Sequence, residues 1–191
     1  MKFTGIHHIA MATEDMDETI RFWRDLMGMR LVIGYGRPGY RQYFFEISDG
    51  DMISFFEWPL VRKIKEKDHG APVAGPFAFD HISFGVKTMD ELFSLKDQLE
   101  AAGFWVSEAV DHGFIVSVYS FDPNNIPIEF SCPVNEVDVR RHPLMMDSRP
   151  SPVALEGSEA RPGYWPAPDP EVQLEERRIY PGETITEKKT A

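Results

Sequence analysis

The chain has 191 residues, 42% hydrophobic and 27% charged, with a formal net charge of -11 and one cysteine. That composition suits a soluble globular domain, and the acidic balance excludes ordinary nucleic-acid binding, which needs basic residues against phosphate. The single Cys132 excludes an internal disulfide, the apolar runs are too short for a membrane span, and the N-terminus lacks a signal-peptide core, so a cytoplasmic protein is expected.

Taken in chain order, the first element is a short apolar strand, Ile6-His7-His8-Ile9-Ala10-Met11-Ala12. Asp15 then suits a helix N-cap, with Asp17 and Glu18 placed well for the helix dipole. Ile20, Trp23 and Met27 recur at helical spacing, and Gly28 marks the stop. Strand-like segments follow at 30–34, 41–47 and 52–58, divided by Gly34-Tyr35-Gly36-Arg37-Pro38-Gly39 and Ser48-Asp49-Gly50. Residues 62–76 read as a polar linker.

The same order then returns. Phe79-Asp80-His81-Ile82-Ser83-Phe84-Gly85-Val86 repeats the first strand, and Thr88 caps a helix carrying Leu92, Leu95 and Leu99 that stops at Gly103. Strands are expected at 105–110, 115–121 and 126–131. His8 and His81 keep the same offset as Met16 and Met89, the mark of an internal repeat. The predicted fold is therefore α+β: paired βαβββ modules, about 1–60 and 77–135, in one domain spanning 1–135. Residues 136–191 differ. Eight of the 15 prolines lie between Pro143 and Pro181, and segments such as Arg161-Pro162-Gly163-Tyr164-Trp165-Pro166-Ala167-Pro168 cannot be regular helix or sheet. Leu144, Met145, Met146, Tyr164 and Trp165 are costly to expose, so this stretch is read as an extended arm that wraps its own barrel or a partner subunit and frays near Lys188-Lys189. A wholly disordered tail is the alternative.

His8 and His81 hold matching places in matching strands, so pseudo-symmetric packing of the modules lets their imidazoles converge. Glu129, between Ile128 and Phe130, is a carboxylate on an apolar strand and needs a partner. A shared metal ion supplies one. Two histidines and one carboxylate leave coordination positions open, an arrangement associated with iron(II) oxygenases.

Three stretches carry a resemblance: Gly5-Ile6-His7-His8-Ile9-Ala10-Met11, Phe79-Asp80-His81-Ile82-Ser83, and Tyr119-Ser120-Phe121-Asp122-Pro123-Asn124-Asn125-Ile126-Pro127-Ile128-Glu129-Phe130. Residues 1 to about 135 resemble the vicinal oxygen chelate superfamily, which includes glyoxalase I, fosfomycin-resistance proteins, methylmalonyl-CoA epimerase and extradiol ring-cleaving dioxygenases. The resemblance implies a half-open barrel around a divalent metal, often in a homodimer, with His8 preferred over His7 as ligand; His7 is expected on the opposite face. Ser54 aligns with Glu129, where many relatives place a fourth ligand, and Glu57 falls on the opposite strand face. A serine hydroxyl is a poor ligand, so the pattern favours the three-ligand extradiol dioxygenases over glyoxalases and epimerases. Tyr119 keeps the spacing before Glu129 of the dioxygenases' active-site tyrosine, and His112 stands in a turn before that strand as a candidate acid/base. The sequence offers no evident counterpart of the second catalytic histidine.

The function expected is an iron(II)-dependent ring-cleaving dioxygenase taking O2 and a small catechol-like aromatic, with Mn(II), Zn(II) or Ni(II) as other candidate metals. Phe44, Phe55, Phe56, Trp58 and Phe114 are candidates for an aromatic pocket. The rivals are a redox-neutral lyase, isomerase or thiol transferase of the same fold, and a metal-free ligand-sequestering resistance protein.

Overall fold

The computed structural model describes residues 6–75, 78–134, 137–150, 152–159, 163 and 172–180. The chain divides into two units, Met1–Asp138 and Val139–Ala191.

The first unit holds two four-stranded mixed sheets. In the first module, β1 (His8–Thr13) leads to a helix α1 (Met16–Ile20) that continues as a π-helical segment, Arg21–Leu26, and then to β2 (Arg30–Arg37), β3 (Tyr40–Ser48) and β4 (Asp51–Glu57). The second repeats the order with β5 (Ile82–Gly85), α2 (Met89–Ala101), β6 (Val110–Asp111), β7 (Ile115–Phe121) and β8 (Pro127–Pro133). The sheet orders correspond, β1-β4-β3-β2 and β5-β8-β7-β6, with β1 parallel to β4 and β5 parallel to β8. The α+β pair of βαβββ modules predicted from the repeat is the fold observed, with the sheets left open.

Local chemistry accounts for the helix boundaries. The Asp15 carboxylate accepts from the amides of Asp17 and Glu18, and Thr88 with Glu91 forms a capping box on α2. Gly28 and Gly103 have φ of 73° and 86° just past the helices, a conformation glycine enters without steric cost. The expected first helix widens, because the Met27 amide donates to the Phe22 carbonyl, an i to i+5 bond. Phe22 and Trp23 are both buried within this wider segment.

Trp23 is fully buried, 5.8 Å from the ring centre of Phe55 in β4 and 5.3 Å from that of Phe84 in β5. One indole therefore joins the apolar faces of both modules. Phe22 meets Phe104 at 4.8 Å, extending the contact. Ile9 and Met11, Ile82 and Phe84, and Ile128 and Phe130 all pack into this core, so strand alternation turns His8 and Glu129 to the other face, and His81, directly before β5, meets Glu129 there.

A buried polar latch adds to the seam. Asn124 Oδ1 accepts from Thr13 Oγ1 at 2.8 Å and the Glu14 amide at 3.0 Å, while Asp122 Oδ1 accepts from the Asn124 and Ile126 amides at 2.8 and 2.9 Å. Burial pushes the Asp122 carboxyl up to about 6 from an ordinary 3.8, against the amide donors that favour its charge. With the folded value raised, the contribution of Asp122 to stability is complete below about pH 3.8 and is lost as pH rises through about 6. The loss is about 3 kcal/mol. Urea unfolding from pH 4 to 7.5 should show wild type losing stability relative to Asp122→Asn as pH rises. A gap that does not change with pH contradicts this.

The second strand of module two departs from expectation. Residues 105–110 yield only an isolated bridge, Val106 with Ser120, before the two-residue β6. Serine side chains supplement the backbone bond from the Ser107 amide to the Tyr119 carbonyl: Ser107 Oγ accepts the Tyr119 amide, and Ser120 Oγ donates to the Trp105 carbonyl.

In the second unit the described residues include two short 3-10 turns, Ala154–Glu156 and Leu174–Glu176, and Leu144, Met145 and Met146 are exposed. Tyr164, Trp165 and Lys188-Lys189 lie outside the described residues.

Candidate metal centre

The sheet registers place the two modules' candidate residues in correspondence. His8 lies opposite Met52 in the β1–β4 pair. His81 directly precedes β5, whose first residue Ile82 lies opposite Ile128. Counting along β4 and β8 from these points, Ser54 occupies the place of Glu129. Across the next strand, Phe44 faces Ser54 as Tyr119 faces Glu129. The His8 ring meets Phe44 at 5.4 Å and the His81 ring meets Tyr119 at 5.9 Å, both edge to face. The polar equipment of module two thus has serine and phenylalanine as its counterparts in module one, where only the histidine is kept.

His81 and Glu129 are in contact, with Nε2 2.9 Å from Oε2. Glu129 is 4% exposed. Burial raises its affinity for a proton, but the hydroxyls of Ser117, Ser83 and Ser131 and the neighbouring His81 outweigh this and hold its carboxyl below the ordinary value. An ionised carboxylate is therefore held at the site, as a metal ligand must be. The separation also fits: donors at about 2.0–2.2 Å on adjacent coordination positions lie about 3 Å apart.

His8 is exposed and stands away from this pair, and among the described residues no group of three His, Cys, Asp or Glu side chains lies close enough to hold a metal. Its Nδ1 is 2.9 Å from Nδ1 of His7. The expectation that His7 points to the opposite face is corrected here: residue 7 precedes β1, so strand alternation does not govern it. Ser54 is fully buried, and its hydroxyl has no hydrogen-bond partner among the described residues. Glu57 is committed elsewhere, accepting the Met16 amide at 2.9 Å and pairing with Arg41 at 3.2 Å.

Tyr119 and His112 meet, with the phenol oxygen 2.8 Å from His112 Nε2. Burial, then the charge of Glu129, raises the phenol above its ordinary value, so it keeps its proton and remains a donor at neutral pH. Of the candidate aromatics, Phe55 belongs to the core against Trp23, and Phe44 lies beside His8. Phe56 stacks on Trp58 with ring centres 4.9 Å apart, and Phe114 is exposed.

Three residues escaped the sequence reading, and two come from the linker. The His69 ring is 4.9 Å from Tyr119 and 5.7 Å from His81, with Nε2 3.0 Å from the Ile128 carbonyl. That carbonyl only accepts, so Nε2 carries a proton. Burial lowers the imidazole below its ordinary value, against the Ile128 carbonyl, which raises it. Lys67 Nζ binds Asp80 Oδ2 at 2.7 Å, and Asp80 Oδ1 lies 2.6 Å from His81 Nδ1. Hydrogen bonds from Lys67, His81 and the Gly70 amide hold the Asp80 carboxyl well below the usual carboxylate range. The one available signal was the pair of polar side chains, Lys67 and His69, in a stretch without periodicity.

A sequence model of the Glyoxalase/Bleomycin resistance protein/Dioxygenase superfamily matches residues 5–130. A lactoylglutathione lyase from Haemophilus influenzae is 28% identical over 130 residues, covering 65% of this chain and 90% of that protein. MhqE of Bacillus subtilis, named provisionally as a ring-cleaving dioxygenase, is 26% identical over 114 residues, 56% of this chain and 35% of that protein. This chain thus spans about a third of MhqE's length. The crystal structure of a glyoxylase/bleomycin resistance protein/dioxygenase domain from Frankia sp. EAN1pec superposes with a TM-score of 0.59 at 20% identity, over 70% of this chain and all 100% of that one. With its repeat, its two open sheets and the matched residues 5–130, the chain belongs to the Glyoxalase/Bleomycin resistance protein/Dioxygenase superfamily, the vicinal oxygen chelate proteins.

Proposed function

We propose that this protein is an iron(II)-dependent ring-cleaving dioxygenase acting on a catechol-like aromatic, with its metal on His81 and Glu129 of one chain and His8 of a second copy. The observation that carries the reading is the place of Ser54. It stands where module one would offer a second carboxylate, so the protein supplies three donors and leaves coordination positions for a vicinal diol and O2. The second copy is inferred from exposure: His8, Ala10, Ser83 and Gly85, on the sheet faces turned from the core, are all open.

Bound iron(II) supplies Lewis acidity toward the diol and the redox partner for O2. The protein's own groups handle orientation and protons. Tyr119, protonated and beside Glu129, donates to a substrate oxygen. His112, in contact with the Tyr119 hydroxyl, relays that proton. His69, neutral and packed against both Tyr119 and His81, offers the second imidazole that the sequence did not reveal. Phe44 closes the apolar side beside His8.

Tyr119→Phe should lower turnover by roughly 10- to 1000-fold with metal content unchanged, because only a proton donor is removed. An oxygen electrode with iron(II)-reconstituted protein and a catechol panel checks this, with O2 uptake matched by a yellow ring-cleavage product. A second reading, a redox-neutral lyase, draws on the similarity to the Haemophilus lactoylglutathione lyase over 90% of that protein. Metal-dependent turnover of an oxygen-independent substrate, with no O2 uptake across the panel, would select it.

A further inference from the structure

Each proposed ligand histidine is touched at Nδ1 by the residue just before it. In module one, His7 Nδ1 lies 2.9 Å from His8 Nδ1; in module two, Asp80 Oδ1 lies 2.6 Å from His81 Nδ1. Both preceding residues sit outside regular strand, where the backbone lets neighbouring side chains meet. The two modules differ in what they place there. His7 is exposed. Asp80 is braced by two bonds from the inter-module linker, Lys67 Nζ to Oδ2 at 2.7 Å and the Gly70 amide to Oδ1 at 2.9 Å.

We propose that Asp80, held by Lys67 and the Gly70 amide, is a positioning residue of the metal centre: it keeps the His81 proton on Nδ1 and turns Nε2 toward Glu129 and the ion. This rests on the metal-site reading above. A neutral imidazole has one N–H and one lone pair, and a carboxylate offers only acceptors, so Asp80 draws the proton to Nδ1 and leaves the lone pair on Nε2. Nε2 is the atom 2.9 Å from Glu129 Oε2. The linker brace fixes the carboxylate, which in turn fixes the ring plane, and partners of this kind sustain metal affinity. The inter-module linker is thereby part of the site.

The test uses the 191-residue chain with Zn(II) as probe, its affinity read by chelator competition and folding followed by thermal melting. Asp80→Ala should weaken Zn(II) binding about 10- to 100-fold. In the Zn(II)-loaded protein it should also abolish the downfield NMR resonance of the His81 Nδ1 proton. Lys67→Met loosens the linker but leaves Asp80 on His81, so it should keep that resonance and lose affinity by less than Asp80→Ala. Should Asp80→Ala fail to fold, Asp80→Asn, which keeps an acceptor but loses the charge, must still weaken binding several-fold. Wild-type affinity in the Asp80 variants overturns the proposal. So do equal losses in Asp80→Ala and Lys67→Met, which would assign Asp80 to holding the linker. If Zn(II) binding is indifferent to His81→Ala, the metal-site reading itself fails and the proposal falls with it; dependence on His81 without dependence on Asp80 overturns the proposal alone.

Discussion

Glu129→Ala should strip the protein of its metal, lowering affinity by more than about 100-fold, since losing a ligand exceeds the loss typical of a ligand's supporting partner. The reason is both charge and count. Glu129 is the anionic donor of the proposed set and is buried beside His81. The variant should nevertheless fold. The Ser83 and Ser131 hydroxyls are 2.6 Å apart and those of Ser117 and Ser131 are 3.2 Å apart, so they satisfy one another when the carboxylate goes. His81→Ala and His8→Ala should lose metal comparably. Ser54→Ala should retain it, and His7→Ala should retain most of it. Metal analysis beside thermal melts checks the series, and full occupancy in Glu129→Ala contradicts the ligand assignment.

The second large effect is a rescue. His8→Ala and Glu129→Ala should each be inactive alone, yet their co-expression should restore about a quarter of the wild-type sites if two-fold copies associate at random. In a mixed dimer one site carries both lesions, while the other takes an intact His8 from one chain and an intact His81 and Glu129 from the other. A site built within a single chain gives no intact centre in any pairing, so no recovery would contradict the shared-site reading. Tandem purification through a different affinity tag on each variant establishes that the mixed dimers form.

Much of this arrangement was legible in the sequence because it rests on local, repeated signals. The offset shared by His8 with His81 and Met16 with Met89 exposed the two modules, and Asp15, Thr88, Gly28 and Gly103 bounded the helices. Correspondence of Ser54 with Glu129 needed only that the two strands begin alike, after the turns at Asp49-Gly50 and Asn124-Asn125. What escaped depends on contacts between segments distant in sequence. Lys67 reaches Asp80 and His69 reaches the Ile128 carbonyl because the linker doubles back onto module two, and nothing periodic announces that. Asn124 reads as a turn residue, yet its side chain bonds Thr13 and Glu14 across the module seam. Phe55 reads like a pocket aromatic, but its face belongs to Trp23. The separation of His8 from the His81–Glu129 pair could not be read from the repeat, because matching places in matching modules specify symmetry without saying which copies meet.

The most direct measurement is anomalous diffraction at the metal's absorption edge from crystals of the metal-loaded protein. A metal centre shared between two copies gives one peak per chain within about 2.0–2.3 Å of His81 Nε2, a Glu129 carboxylate oxygen and an imidazole nitrogen of His8 from the second copy, with Ser54 outside the coordination sphere. A peak that excludes His8, or one that takes the Ser54 hydroxyl as a fourth protein ligand, would contradict it.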